Sequence, residues 1–98
     1  MKYIIVLAKV EPKNGCSDSI IELSQDLIEE TLKEEGNIDY QLVSSIDDDS
    51  LTFIEKWKSL EDLKKHMSSS HFQLFGSESE EFVEKMDIEV ISAENVDL

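Results

Sequence analysis

The chain has 98 residues, 23 of them acidic and nine basic, for a net charge of −14. That length fits one domain, and that charge argues against DNA, RNA and anionic lipid, since phosphate binding needs clustered Lys and Arg; the acidity itself reads as a solubility feature. A single cysteine, Cys16, excludes an intramolecular disulfide.

The first element is a strand from Tyr3 to Val10. It is apolar on both parities apart from Lys9, as expected of a central strand covered on both faces. The apolar run from Tyr3 to Ala8 is too short for a secretory leader and has no small-residue cleavage site after it. No stretch approaches the ~20 apolar residues of a membrane span, so a cytoplasmic location is expected.

Pro12, Asn14 and Gly15 break the strand. Ser17 to Glu35 follows as a long helix with Ile20, Leu23, Leu27 and Thr31 on one face. Ser17 or Asp18 is placed to cap it, and Gly36 to end it in the left-handed conformation. Cys16, beside Gly15 near the helix start, sits where a thiolate is favoured, though little else speaks for a functional thiol.

Ile38 to Ser45 is a second strand, with Ile38, Tyr40 and Leu42 pointing one way. Leu51 to Lys58 is a third, with Leu51, Phe53, Glu55 and Trp57 on one face. The polar turn Asp47-Asp48-Asp49-Ser50 joins the two into a hairpin. Ser59 caps a short helix that carries Leu60, Leu63 and Met67 on one side, with His66 one residue off that stripe. A further helix is predicted from Ser70 to about Lys85, with a stripe of Phe72, Phe75, Phe82, Val83 and Met86. The last strand is predicted over Asp87 to Ala93, and Glu94 to Leu98 forms a frayed or partner-bound tail.

The order β-α-β-β-α-α-β implies an α+β, ferredoxin-like split βαβ arrangement, with four antiparallel strands and the helices on one face. Helices cover only one parity of the first strand. Tyr3, Ile5 and Leu7 have one parity and Ile4, Val6 and Ala8 the other, and both sets are apolar; whichever the helices leave open must meet something dry, and a second copy of the chain is the simplest cover. A homodimer is expected.

Three segments resemble the antibiotic biosynthesis monooxygenase family. They are Glu34-Glu35-Gly36-Asn37-Ile38-Asp39-Tyr40, Phe53-Ile54-Glu55-Lys56-Trp57, and His66-Met67-Ser68-Ser69-Ser70-His71-Phe72. Their order and spacing extend the resemblance over residues 2 to 93, close to the whole chain. It implies a dimeric α+β barrel with a pocket in each subunit between sheet and helices. It also implies a cofactor-independent monooxygenase acting with O₂ on a small aromatic or polycyclic phenol or quinol. Family members include haem degraders and sugar-phosphate isomerases, so the fold alone does not decide the reaction. Haem-degrading relatives use an Asn in the first strand, which this strand lacks, and carry a Trp where His66 stands here. Phosphate chemistry has no cationic cluster beyond Lys64-Lys65.

Oxygenation without a cofactor needs a base, an apolar pocket for a flat ring, and donors for developing oxyanions. His66 and His71 are the only histidines. His66 is the expected base, because it can face inward while staying reachable. His71 starts a helix, where the dipole disfavours an imidazolium, so it is assigned to ligand binding or capping. Glu55 shares a strand face with Phe53 and Trp57, and a buried carboxylate there must be paired, with Lys9 or an interface donor as partner, or protonated. Glu55 is the second catalytic candidate. Trp57, Tyr40, Phe53, Phe72 and Phe75 are the expected aromatic walls, with ordinary core packing as the competing account. With no cysteine nearby and no i, i+4 histidine pair, no metal site is expected. A non-catalytic, small-molecule-binding dimer of the same fold is the alternative function.

Overall fold

The computed structural model describes residues 2–98. The elements are β1 (Lys2–Pro12), α1 (Ser17–Leu32), β2 (Asn37–Ser44), β3 (Leu51–Trp57), α2 (Leu60–Met67), α3 (Ser70–Ser79) and, after a 3₁₀ turn at Glu80–Phe82, β4 (Val83–Glu94). The strands form one antiparallel sheet in the order β2-β3-β1-β4. This is the expected α+β ferredoxin-like arrangement, with β1 and β3 at its centre.

Strand pairing defines the two faces. Val6 lies between Glu55 and Val90, and Ala8 between Phe53 and Ile88. The helix-side face therefore carries Val6, Ala8 and Val10 with Leu51, Phe53, Glu55 and Trp57, all buried, and its apolar members share one core with Ile20 and Leu27 of α1, Leu63 of α2 and Phe75 of α3. The opposite face carries Ile5, Leu7, Ile54 and Ile91, half-buried with no helix over them. On that face the Lys56 ammonium sits over the Tyr3 ring at 4.8 Å, which shields one aromatic of an otherwise open apolar surface.

Several local expectations are corrected. Cys16, not Ser17 or Asp18, occupies the α1 N-cap, and no side chain caps that end. The left-handed residue is Gly15 at φ 77°, in the turn entering α1; Gly36 has no positive φ. Gly36 is needed for a different reason: a Cβ there would overlap the Asp62 side chain at the start of α2. A bulge between Asn37 and Asp39 throws Ile38 off the Tyr40 face and leaves it 42% exposed. On α2 the buried pair is Leu63 and His66, while Leu60 and Met67 are half-exposed, Met67 at the edge of the space under α3. Finally, α3 stops at Ser79 and β4 begins at Val83, so Met86 is a strand residue. The Ser59 cap is as expected: its hydroxyl accepts from the Asp62 N–H.

The helices do not reach over the edge strand. Met86, Ile88 and Val90 lie on the helix-side face of β4, yet are 41%, 55% and 52% exposed. The space between α3 and the sheet therefore opens along β4.

Gly36→Ala is expected to lower stability by about 1–3 kcal/mol, the usual cost of overpacking, because Asp62 must move with the helix start it belongs to. Urea unfolding measures this; an unchanged midpoint would show that the Gly36–Asp62 approach is loose.

Candidate functional site

The turn after α1 carries Glu34 toward the short helix pair. It is held by the Glu34 N–H donating to Thr31 O (3.0 Å) and the Asn37 N–H donating to Glu34 O (3.1 Å). One oxygen of the Glu34 carboxylate, Oε2, lies 2.7 Å from His66 Nδ1 on α2 and 2.9 Å from His71 Nε2 on α3. A spacing of five would put two histidines on different sides of one helix. The break at Ser68-Ser69 turns both rings to one acceptor instead. There the Ser69 hydroxyl donates to His66 O (2.6 Å) and accepts from the Phe72 N–H (3.3 Å).

His66 is the buried member at 1% exposure. Its ring packs 4.6 Å from Trp57, 5.0 Å from Phe72 and 5.3 Å from Tyr40, centroid to centroid. With Nδ1–H donated to Glu34, the ring keeps a lone pair on Nε2. That atom has no hydrogen-bond partner among the described residues. Burial lowers the His66 pKa; the hydrogen bond to Glu34 and its charge oppose the shift, while His71 adds to it. A neutral imidazole with a free lone pair is the state a general base requires.

Glu55 projects from the middle of β3 into the same region. Its partner is the Trp57 indole N–H, which donates to Oε1 at 3.0 Å. Lys9 lies on the opposite sheet face and plays no part. Burial pushes the Glu55 carboxyl up to about 7; the Trp57 hydrogen bond works against this and the Glu34 charge works with it. Tyr40 is buried too, and burial, followed by the Glu55 and Glu34 charges, raises its pKa, so it stays a neutral hydroxyl.

A cavity of about 330 Å³ lies between α3 and the sheet. Its walls include Val6, Ala8, Leu27, Tyr40, Phe53, Leu63, Phe72, Phe75, Ile88 and Val90, and among the polar side chains that reach it are Glu55 and His66. Six of the eight expected site residues thus share one chamber: His66, Glu55, Tyr40, Phe53, Phe72 and Phe75. Trp57 and His71 do not line it. Trp57 is fully buried behind His66 and holds that ring and the Glu55 carboxyl from the rear. His71 faces the groove between α1 and α3.

Two contributions were not foreseen. Glu34 lies 32 and 37 residues from its histidines, and no local pattern announces a pairing at that range. The β4 wall was partly hidden because Met86 was assigned to a helix, although Met86, Ile88 and Val90 alternate as a strand should. Glu34, His66 and His71 also form a group whose potential ligand atoms lie within 4.8 Å of one another.

The family described as antibiotic biosynthesis monooxygenase matches residues 3–77. YcnE of Bacillus subtilis (strain 168), whose name provisionally calls it a monooxygenase, is 27% identical over 81 residues, covering 82% of this chain and 85% of that protein. Among solved structures, a conserved protein from Methanosarcina mazei Go1 is 35% identical with a TM-score of 0.89, covering 93% of this chain and 92% of that one. Protein SO0527 from Shewanella oneidensis is 28% identical with a TM-score of 0.88, covering 94% and 91%.

The Glu55 carboxyl supplies a pH signature. The folded chain holds this proton up to about 7, against an ordinary value of 4.5. Because the native state binds the proton more tightly than the unfolded chain, stability falls as pH rises through that window and the loss is complete above it. The interval corresponds to about 3 kcal/mol. Glu55→Gln keeps an oxygen for the Trp57 N–H but cannot ionise. It should match the wild type near pH 4 and exceed its stability by up to about 3 kcal/mol at pH 8. Parallel denaturation curves for the two proteins at both pH values would contradict this.

Proposed function

The chain belongs to the antibiotic biosynthesis monooxygenase family, and from that premise we propose that it is a cofactor-independent monooxygenase oxidising a small aromatic phenol or quinol with O₂. The observation that carries the reading is the His66 imidazole, oriented by Glu34 through Nδ1 and left unpaired at Nε2, on the wall of an apolar cavity. A substrate hydroxyl is the partner that Nε2 lacks.

In this scheme Nε2 takes the phenolic proton, and Glu34 offsets the imidazolium that results. The phenolate passes one electron to O₂, and the aryloxyl radical and superoxide join as a C–O bond to give a peroxide. The outer oxygen of the peroxide anion takes the phenolic proton back from His66, and His66 Nε2 then removes the proton on the oxygenated carbon as the O–O bond breaks. One oxygen stays as the quinone carbonyl. The other leaves as hydroxide and takes that last proton from His66 to become water. The substrate supplies all the electrons, so phenol plus O₂ balances quinone plus water. Phe53, Phe72 and Phe75 provide the flat apolar walls, and the Tyr40 hydroxyl is a donor for the developing oxyanion. The competing reading, a dimeric binding module without turnover, is favoured by no specific observation.

A homodimer belongs to the same proposal. Ile5, Leu7, Ile54 and Ile91 form a helix-free apolar face, and Met86, Ile88 and Val90 leave one cavity wall uncovered. A second copy is the cover that suits both. Sedimentation at micromolar concentration should give twice the 11.2 kDa chain mass; a species at the single-chain mass would sink the idea.

Oxygen uptake with a panel of hydroquinones and phenols tests the activity. His66→Ala should lower turnover by about 10²–10⁴-fold, as loss of a general base does. Ligand-dependent thermal stabilisation without oxygen uptake would favour the binding module. Unchanged turnover in His66→Ala would shift the base to Glu55 or to a substrate that ionises unaided.

A further inference from the structure

Glu34, His66 and His71 come from three elements: the turn after α1, α2, and the first turn of α3. His66 Nδ1 and His71 Nε2 approach the same carboxylate oxygen at 2.7 and 2.9 Å, and all three ligand atoms lie within 4.8 Å of one another. We propose that this trio is a binding site for one divalent transition-metal ion of the zinc type per chain.

The donor set selects the ion. Two imidazoles and one carboxylate suit Zn²⁺ and its first-row neighbours, whereas Mg²⁺ and Ca²⁺ want oxygen ligands. In a tetrahedral site with bonds of about 2.1 Å, ligand atoms sit about 3.4 Å apart. From 2.7 and 2.9 Å the two nitrogens retreat from the Glu34 oxygen by roughly half an ångström, and from a separation of up to 4.8 Å they close on each other by roughly one to one and a half ångström, movements that side-chain rotations of two imidazoles can supply. The ion takes the place of the protons that now bridge the three groups.

Access and charge agree with this. His66 is buried, but Glu34 and His71 are each 19% exposed, so an ion can arrive and water can complete its shell. The approach is the groove between α1 and α3, of about 430 Å³, where Glu22, Asp26, Glu30 and Glu78 surround His71. The field of these acids in a chain of net charge −14 concentrates cations there.

Occupancy has a consequence for the cavity, on the reading that His66 is its base. A metal on Nδ1 leaves the single remaining ring proton on Nε2. His66 would then donate into the cavity instead of accepting, and the ion would act as an inhibitor.

The test needs no turnover. Chelator-treated full-length protein is titrated with ZnCl₂ by calorimetry, and the imidazole ¹⁵N resonances are followed in parallel. Expected are one Zn²⁺ per chain, a raised melting temperature, and metal-induced shifts at His66 Nδ1 and His71 Nε2. His71→Ala, at a part-exposed position, should weaken binding at least tenfold, whereas Glu22→Gln with Glu78→Gln should keep the stoichiometry of one. No uptake at micromolar Zn²⁺, or uptake in the wild type without shifts at these two nitrogens, overturns the site. So does binding that His71→Ala leaves unchanged. Oxygen uptake that is absent with every phenol, alongside intact Zn²⁺ binding, would count against the oxygenase reading and leave the metal site standing.

Discussion

The arrangement depends on one carboxylate oxygen that serves two imidazoles. Glu34 Oε2 ties the end of α1 to α2 and α3, and adds a directional contact to the apolar packing of Leu63 and Phe75 in the core. Ser59 and Ser69 cap α2 and α3 locally, but caps set where a helix starts and not where it lies. The shared acceptor sets the rotation of α2. It draws His66 inward beside Leu63 and leaves Leu60 and Met67 half-exposed, against the order that hydrophobicity alone would choose. A charge-assisted hydrogen bond in a poorly solvated place is strong enough to decide such a contest.

Behind that contact stands Trp57, which performs two positioning tasks with one ring. Its face packs on His66, and its N–H meets Glu55. The indole thereby links His66 and Glu55 through a rigid, fully buried body. Its absence from the cavity wall is consistent with this role: a residue that must hold others in place works better when a ligand cannot displace it.

Much of this was legible in the sequence. The doubly apolar Tyr3–Ala8 segment marked a central strand, the alternation Leu51-Phe53-Glu55-Trp57 marked the core face of β3, and Ser59 marked a helix start. What stayed hidden has physical reasons. The bulge at Asn37–Asp39 shifts parity without any composition signal, since the Asn37 amide satisfies the displaced backbone by donating to Asp39 O and Lys56 O. Phe82 and Val83 continue the spacing of Phe72 and Phe75, so a helical stripe ran on into a strand. Cys16 could not be foreseen as the N-cap because that end of α1 has no side-chain cap to read. Glu34 belonged to a recognisable junction segment, but its role arises only from folding two distant histidines onto it.

The electrostatics of the cavity constrain any ligand more tightly than its size does. Glu34 and Glu55 both raise the Tyr40 pKa, and Glu34 raises that of Glu55, so the region resists further negative charge. A phenol that arrived already ionised would meet two carboxyl groups within a chain of net charge −14. It therefore has to bind neutral and lose its proton in place. On the proposed reading this joins binding to chemistry. The imidazolium formed at His66 is offset by Glu34, and the new phenolate is tolerated while Glu55 keeps its proton, which it does up to about pH 7. A raised carboxyl pKa, costly for stability, thus becomes the condition that lets an anion form inside an acidic protein.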